Sequence, residues 1–260
     1  MNEKKIKKYQ FKKPNIGVNF MNQNDNYKNY KDLKLKIPGN SYVICGCMNS
    51  GKTTFGFNFI DKTEAFRRIY ILAKDTEDDL TYNKLKSCLR PLEEELGKQI
   101  LFISDDINKI DIDKKNHNPK AWKFNKHFKN IVIIDDFVDS LTSKELKIIR
   151  FLFKMSRHYN ITPMFLTQSF YSTDKFIRRC ISNVVLCSVP DARDLKLVLR
   201  SYNTLPNITA DDLFSIYNQL KQRNPFTALH LDLKNPDLTY RIRADLIPVS
   251  ISRGEGEKTN

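Results

Sequence analysis

Short apolar runs alternate along this chain with longer amphipathic segments, and the alternation predicts an α/β fold. Residues 41–45, 67–74, 100–103, 131–134, 162–167 and 183–189 read as strands. The run Ile131-Val132-Ile133-Ile134 is apolar at every position, as expected of a strand covered on both faces. Between these runs, residues 52–60, 79–96, 143–159, 173–180, 191–201 and 209–222 carry helical spacing. Phe55 and Phe59 stand four apart in the first helix, Leu146, Ile149, Phe153 and Met155 supply apolar positions in the third, and Ser143 is the candidate N-cap there. Strands that alternate with helices imply a mostly parallel central sheet with helices on both faces. Two further β-rich runs, 226–233 and 239–248, are expected to pair as a hairpin or to extend an edge.

At 260 residues the chain suits one α/β domain with extensions. Lys4, Lys5, Lys7, Lys8, Lys12 and Lys13 open a polar, basic stretch, so residues 1–36 are expected to form a flexible extension, 37–250 the domain and 251–260 a flexible tail. The formal charge of +14 favours an anionic partner, nucleic acid first, although a lysine-rich composition inherited from an A/T-biased genome gives the same sum. Five cysteines show no C-x-x-C spacing and read as reduced thiols of an intracellular protein, with Cys45 and Cys47 structural. The four histidines are scattered and suggest no metal set. No apolar stretch approaches a membrane span, and the basic N-terminus lacks the apolar core of a secretory signal.

One motif changes the picture. Gly46-Cys47-Met48-Asn49-Ser50-Gly51-Lys52-Thr53 fits G-x-x-x-x-G-K-[ST] at every fixed position, between an expected strand and an expected helix. Glycine is scarce here, 8 residues in all, yet Gly39, Gly46, Gly51 and Gly56 fall in one short stretch. The pattern is a phosphate-binding loop: backbone N–H groups from Gly46 to Thr54, including Asn49 and Ser50, turn toward phosphate oxygens. Lys52 supplies a point charge and Thr53 offers its hydroxyl to Mg²⁺. The helix N-terminus adds partial positive charge.

A second site follows the 131–134 run, where Asp135 and Asp136 stand at the carboxyl end of an expected central strand, the end at which open α/β sheets bind ligands. Asp135 is the candidate Mg²⁺ ligand and Asp136 the candidate base that activates water against the γ-phosphate. Adjacent carboxylates repel, so a bound cation eases their joint ionisation. The run Met164-Phe165-Leu166-Thr167-Gln168-Ser169 ends another strand in polar residues, and the Gln168 amide can donate to the γ-phosphate or accept from the attacking water without titrating.

Together, the Gly46–Thr54 loop, the acid pair and the block Ser156-Arg157-His158…Thr167-Gln168-Ser169 resemble the FtsK–HerA superfamily of P-loop motor ATPases. Within it they are most similar to the poxvirus-type DNA-packaging ATPases of large DNA viruses, virophages and Polinton-like elements. The resemblance spans about residues 38–190. It implies an ASCE (RecA-like) P-loop NTPase sheet with the Gln168 strand between the P-loop and Asp135 strands. It also implies ATP and Mg²⁺ as cofactors and a homo-oligomeric ring that pumps double-stranded DNA into a capsid at its portal vertex, in the cytoplasmic viral factory and the virion. Many members carry Asp-Glu where this chain has Asp135-Asp136. The family's trans-acting arginine corresponds to Arg157, with Arg178 and Arg179 as runners-up. Lys144, Lys147, Lys154 and Lys175 could line a DNA channel, and the lysine-rich 105–130 segment with Trp122 is either a second DNA-contacting loop or a solvated insertion with an anchored tryptophan.

Other classes share the loop. Asn108-Lys109-Ile110-Asp111 matches the guanine-recognition pattern N-K-x-D, but it precedes the Asp135 strand and no D-x-x-G occurs in the chain, which argues against a GTPase. A nucleoside or small-molecule kinase would need neither the Gln168 strand nor this net charge. A nucleotide-binding scaffold would leave the acid pair idle.

Overall fold

The computed structural model describes residues 29–74, 76–110, 122, 124–135 and 141–251, and the backbone alone of 16–20, 252 and 253. Its frame is one ten-stranded sheet in the order β1-β10-β9-β8-β7-β2-β6-β5-β3-β4. Six strands run parallel: β2 (Tyr42–Cys45), β3 (Arg68–Leu72), β4 (Leu101–Ser104), β5 (Asn130–Asp135), β6 (Ile161–Thr167) and β7 (Asn183–Leu186). All residues of β2, β5, β6 and β7 are buried, which is why their sequences are mainly apolar, with polar residues such as Asn130, Asp135, Thr167 and Asn183 at the strand ends.

Helices cover both faces. On one lie α1 (Lys52–Thr63) and α2 (Leu80–Leu96), where Phe55 and Phe59 pack with Tyr42, Ile44, Ile133 and Met164. The other carries α3 (Ser143–Met155), α4 (Lys175–Cys180), α5 (Ala192–Tyr202) and α6 (Ala210–Arg223), with Ile149, Leu152 and Phe153 against Val132, Ile134 and Phe165. Alternate residues of β5 thus serve opposite cores, the period of two expected of a strand. The N-cap of α3 is Thr142 rather than Ser143. Its hydroxyl accepts the Glu145 N–H while the Glu145 carboxylate accepts the Thr142 N–H, a reciprocal box that Ser143 cannot form from inside the first turn.

The two late β-rich runs extend the β7 edge, as expected. Strand β8 (Leu229–Asp232) pairs antiparallel with β7, β9 (Ile242–Ala244) with β8, and β10 (Ile247–Arg253) with β9. Strand β1 (Ile16–Phe20) closes this edge against β10. The terminal segments therefore enter the domain further than composition suggested. Leu33, Leu35 and Ile37 are buried, and the buried Arg243 guanidinium donates to the Leu33 carbonyl at 2.8 Å. A boundary at 36/37 would cut through this contact, and β10 runs past 251 to Arg253. The lysines of residues 4–13, and residues 254–260 of the tail, lie outside the described residues.

Candidate nucleotide site

The P-loop emerges from the carboxyl end of β2, and both neighbouring strands pin its start. The Gly46 N–H donates to the Thr167 carbonyl at 3.1 Å, beside β6, and the Cys47 N–H to the Ser188 carbonyl at 2.8 Å, just past β7. Gly46 has no room for a side chain: a Cβ there would lie 2.5 Å from Ser50 Oγ and 2.8 Å from Cys187 Cβ. The turn into α1 needs left-handed backbone at Asn49 (φ 57°) and at Gly51 (φ 90°), the latter being the N-cap. The Ser50 hydroxyl is buried with no hydrogen-bond partner among the described residues. Lys52 folds back over the loop, its Nζ donating to the Gly46 and Cys47 carbonyls at 2.9 Å each. That contact holds the ammonium over the loop, next to the α1 N-terminus that favours anions.

The first helical turn meets the β5 strand end. Thr53 Oγ1 donates to Asp135 Oδ2 at 2.8 Å. The same oxygen accepts the Tyr82 hydroxyl at 2.7 Å from α2. Asp135 is only 8% exposed and Tyr82 4%. A carboxylate and a hydroxyl converging below a phosphate loop form a hard-oxygen donor pair that fits Mg²⁺, which takes one or two protein ligands and fills its octahedron with phosphate oxygens and water. Asp136 lies outside the described residues.

Strand β6 lies between β2 and β5, with Cys45 opposite Thr167 and Asp135 opposite Leu166. Gln168, one residue past Thr167 and two past Leu166, therefore follows the end of a strand that runs between the P-loop strand and the Asp135 strand. It is exposed, and its carbonyl accepts the Cys45 thiol at 3.7 Å. Burial pushes the Cys45 and Cys187 thiols up to about 12, so both stay protonated and act as packing groups beside the loop.

Arg157 is at the opposite end of the sheet. It sits in the turn before β6, and its Cγ is 3.0 Å from where a Gly39 Cβ would be, ahead of β2. It cannot serve the P-loop of its own chain. Arg179 is exposed at the end of α4, next to Cys180, whose carbonyl accepts the Ser41 hydroxyl at the start of β2. Arg178 is tied to the Thr173 carbonyl at 3.0 Å and stacks over Tyr171. Lys144, Lys147, Lys154 and Lys175 are exposed on α3 and α4. Trp122 is half-buried with its ring 5.2 Å from Tyr70, the anchored alternative for that residue, whereas residues 111–121 lie outside the described residues. The N-K-x-D match is structural at its described positions: Asp106 accepts the Asn108 N–H and Nδ2, and Ile107 and Ile110 are buried.

An open cleft of about 790 Å³ runs along the loop and α1 to the turns before β8 and after β9. Sequence reasoning missed two parts of the site: Tyr82, which reads as an ordinary helical residue, and this far wall, built from turns distant in the chain.

A phosphate loop on β2, an acid on β5 and a polar strand end between them define a P-loop NTPase of the ASCE arrangement. The chain belongs to the family described as Poxvirus A32 protein, whose model matches residues 28–226. Among solved structures it is similar to B204, the DNA-packaging ATPase of Sulfolobus Turreted Icosahedral Virus. That match has 15% identity and a TM-score of 0.49, and it covers 83% of this chain and 98% of the other. It is also similar to the genome packaging NTPase B204 of Sulfolobus turreted icosahedral virus 2 in complex with AMPPCP (13%, TM-score 0.48, 83% and 98%). A third likeness is to the pCW3 conjugation coupling protein TcpA (16%, TM-score 0.37, 73% and 58%). No curated protein sequence matches the chain.

Proposed function

We propose that this chain is an ATP-driven translocase that packages double-stranded DNA into a viral capsid, working as a homo-oligomeric ring in the host cytoplasm. Membership of the poxvirus A32 family supports the class. The observation that carries the chemistry is the meeting of Thr53 Oγ1 and Asp135 Oδ2, 2.8 Å apart, at the mouth of the Lys52 loop.

In this reading the Gly46–Thr54 backbone and Lys52 bind the triphosphate, Lys52 exchanging its loop carbonyls for β- and γ-phosphate oxygens. Thr53 and Asp135 would hold Mg²⁺, which would supply positive charge against the phosphate oxygens. Asp136 takes the proton of the attacking water, and Gln168 orients that water against the γ-phosphate. Arg157, at the far end of the strands, reaches the nucleotide of the next subunit and stabilises the transition state there. The exposed lysines of α3 and α4 grip DNA phosphates without reading bases.

Hydrolysis measured with and without duplex DNA tests the proposal. Duplex should raise turnover several-fold. Turnover indifferent to DNA but raised by a small phosphate acceptor would replace the motor with a kinase.

A further inference from the structure

The cleft extends past the P-loop to the turns before β8 and after β9, and its distal wall has a specific construction. Cys45, Leu186, Leu229 and Ala244 lie in one row across β2, β7, β8 and β9. The residues just beyond that row must leave the sheet at the same edge as the P-loop. They are the 224–227 turn leading into β8 and the turn through Asp245, Leu246 and Ile247 that joins β9 to β10. Both turns line the cleft on the α1 side, where Leu246 and Ala228 pack with Phe55.

Phe226 stands in this wall with 66% of its surface exposed, an unusual state for a phenylalanine, yet its backbone is firmly braced. Asn224 Oδ1 accepts the Phe226 N–H at 3.0 Å, and the Thr227 N–H donates to the Asn224 carbonyl at 3.1 Å. The Pro225 carbonyl accepts Lys221 Nζ at 2.9 Å and Ser188 Oγ at 3.3 Å. The opposing turn is held as well. Asp245 accepts the Ala228 N–H at 2.8 Å through Oδ1, and its carbonyl meets the ring of buried His230 at 2.9 Å. A solvated aromatic ring on a braced backbone beside a phosphate site is what a nucleobase stacks on, because every base has a π-face.

We propose that Phe226 is the platform for the nucleobase, with the Asp245–Ile247 turn as the facing wall, so that the cleft selects a purine nucleoside triphosphate over a bare polyphosphate or a pyrimidine nucleotide. This rests on the reading of the P-loop as the triphosphate site. The larger purine face covers more of the ring, which sets the order of preference.

The test is calorimetric titration of the full chain with a non-hydrolysable ATP analogue and, separately, with inorganic tripolyphosphate. Phe226→Ala should weaken the analogue by roughly tenfold or more and leave tripolyphosphate unchanged, and Phe226→Tyr should restore the analogue. Lys52→Ala should weaken both ligands. Unchanged analogue binding in Phe226→Ala overturns the platform, as does an equal loss for both ligands, or intact binding with loss of self-association, which would make Phe226 a subunit contact. Failure of Lys52→Ala to weaken either ligand would instead strike the underlying phosphate assignment.

Discussion

Replacing Tyr82 with phenylalanine removes one oxygen and nothing else. The ring stays in place against Phe57, whose centroid is 5.4 Å away, so no cavity opens. What is lost is a 2.7 Å hydrogen bond to a buried carboxylate. Hydrogen bonds to charged groups contribute about 1.5–3 kcal/mol. Thr53 still donates to the same Asp135 oxygen at 2.8 Å, so the low end applies, about 1.5 kcal/mol. For a domain of this size that lowers Tm by roughly 3–6 °C. On the proposed assignment of Asp135 to Mg²⁺, the functional effect is larger in proportion, because the Tyr82 hydroxyl holds the carboxylate oxygen that would face the metal. Groups that orient a ligand carboxylate typically govern metal affinity by about 10–100-fold. Titrating Mg²⁺ in a steady-state ATPase assay should show a half-saturating concentration raised about tenfold, with the maximal rate less affected. A Tyr82→Phe protein that melts normally and has unchanged Mg²⁺ dependence would refute this orientation role.

Three further outcomes follow from named contacts. Lys52→Ala should reduce hydrolysis to background through loss of phosphate contact while the fold persists, checked by phosphate release alongside circular dichroism. Arg157→Ala should bind nucleotide normally yet lose turnover in the assembled ring, and normal turnover there would remove it as the trans-acting arginine. His230 is fully buried between Asp245 and Asn183, and burial depresses its imidazole to about 3 from an ordinary value near 6.5. The unfolded chain takes up a proton below pH 6.5 that the folded chain refuses, so stability drops as pH falls, by about 2 kcal/mol between pH 7.5 and pH 5. Buried Asp232, its carboxyl raised chiefly by desolvation, contributes the opposite slope, so the comparison of wild type with His230→Gln in urea melts at both pH values isolates the histidine. An identical pH dependence in the two proteins would contradict it.

The parallel core was legible because its central strands are buried on both faces and so are mainly apolar, Ile131–Ile134 above all. The loop was legible because left-handed backbone at Gly51 and contact with Cys187 at Gly46 admit only glycine. The strand order that places the strand leading to Gln168 between the P-loop and Asp135 strands came from resemblance to a family, since periodicity does not state which strands are neighbours. What escaped were pairings between distant segments. Tyr82 reaches Asp135 across 53 positions. Arg243 reaches Leu33 across 210, tying a segment that composition marks as a loose arm into the core. The Phe226 wall exists only because β7 to β9 align their ends. Such contacts depend on tertiary register, which local pattern does not encode.

The central claim is that Lys52, Thr53 and Asp135 converge on one triphosphate and its divalent ion. Crystals grown with Mn²⁺ and a non-hydrolysable ATP analogue address it directly, through the anomalous signal of the metal. The account predicts a single Mn²⁺ peak within coordination distance of Thr53 Oγ1 and the Asp135 carboxylate, with the γ-phosphate against Lys52 Nζ. Metal and nucleotide bound together elsewhere on the molecule, with Lys52 still on the Gly46 and Cys47 carbonyls, would contradict it.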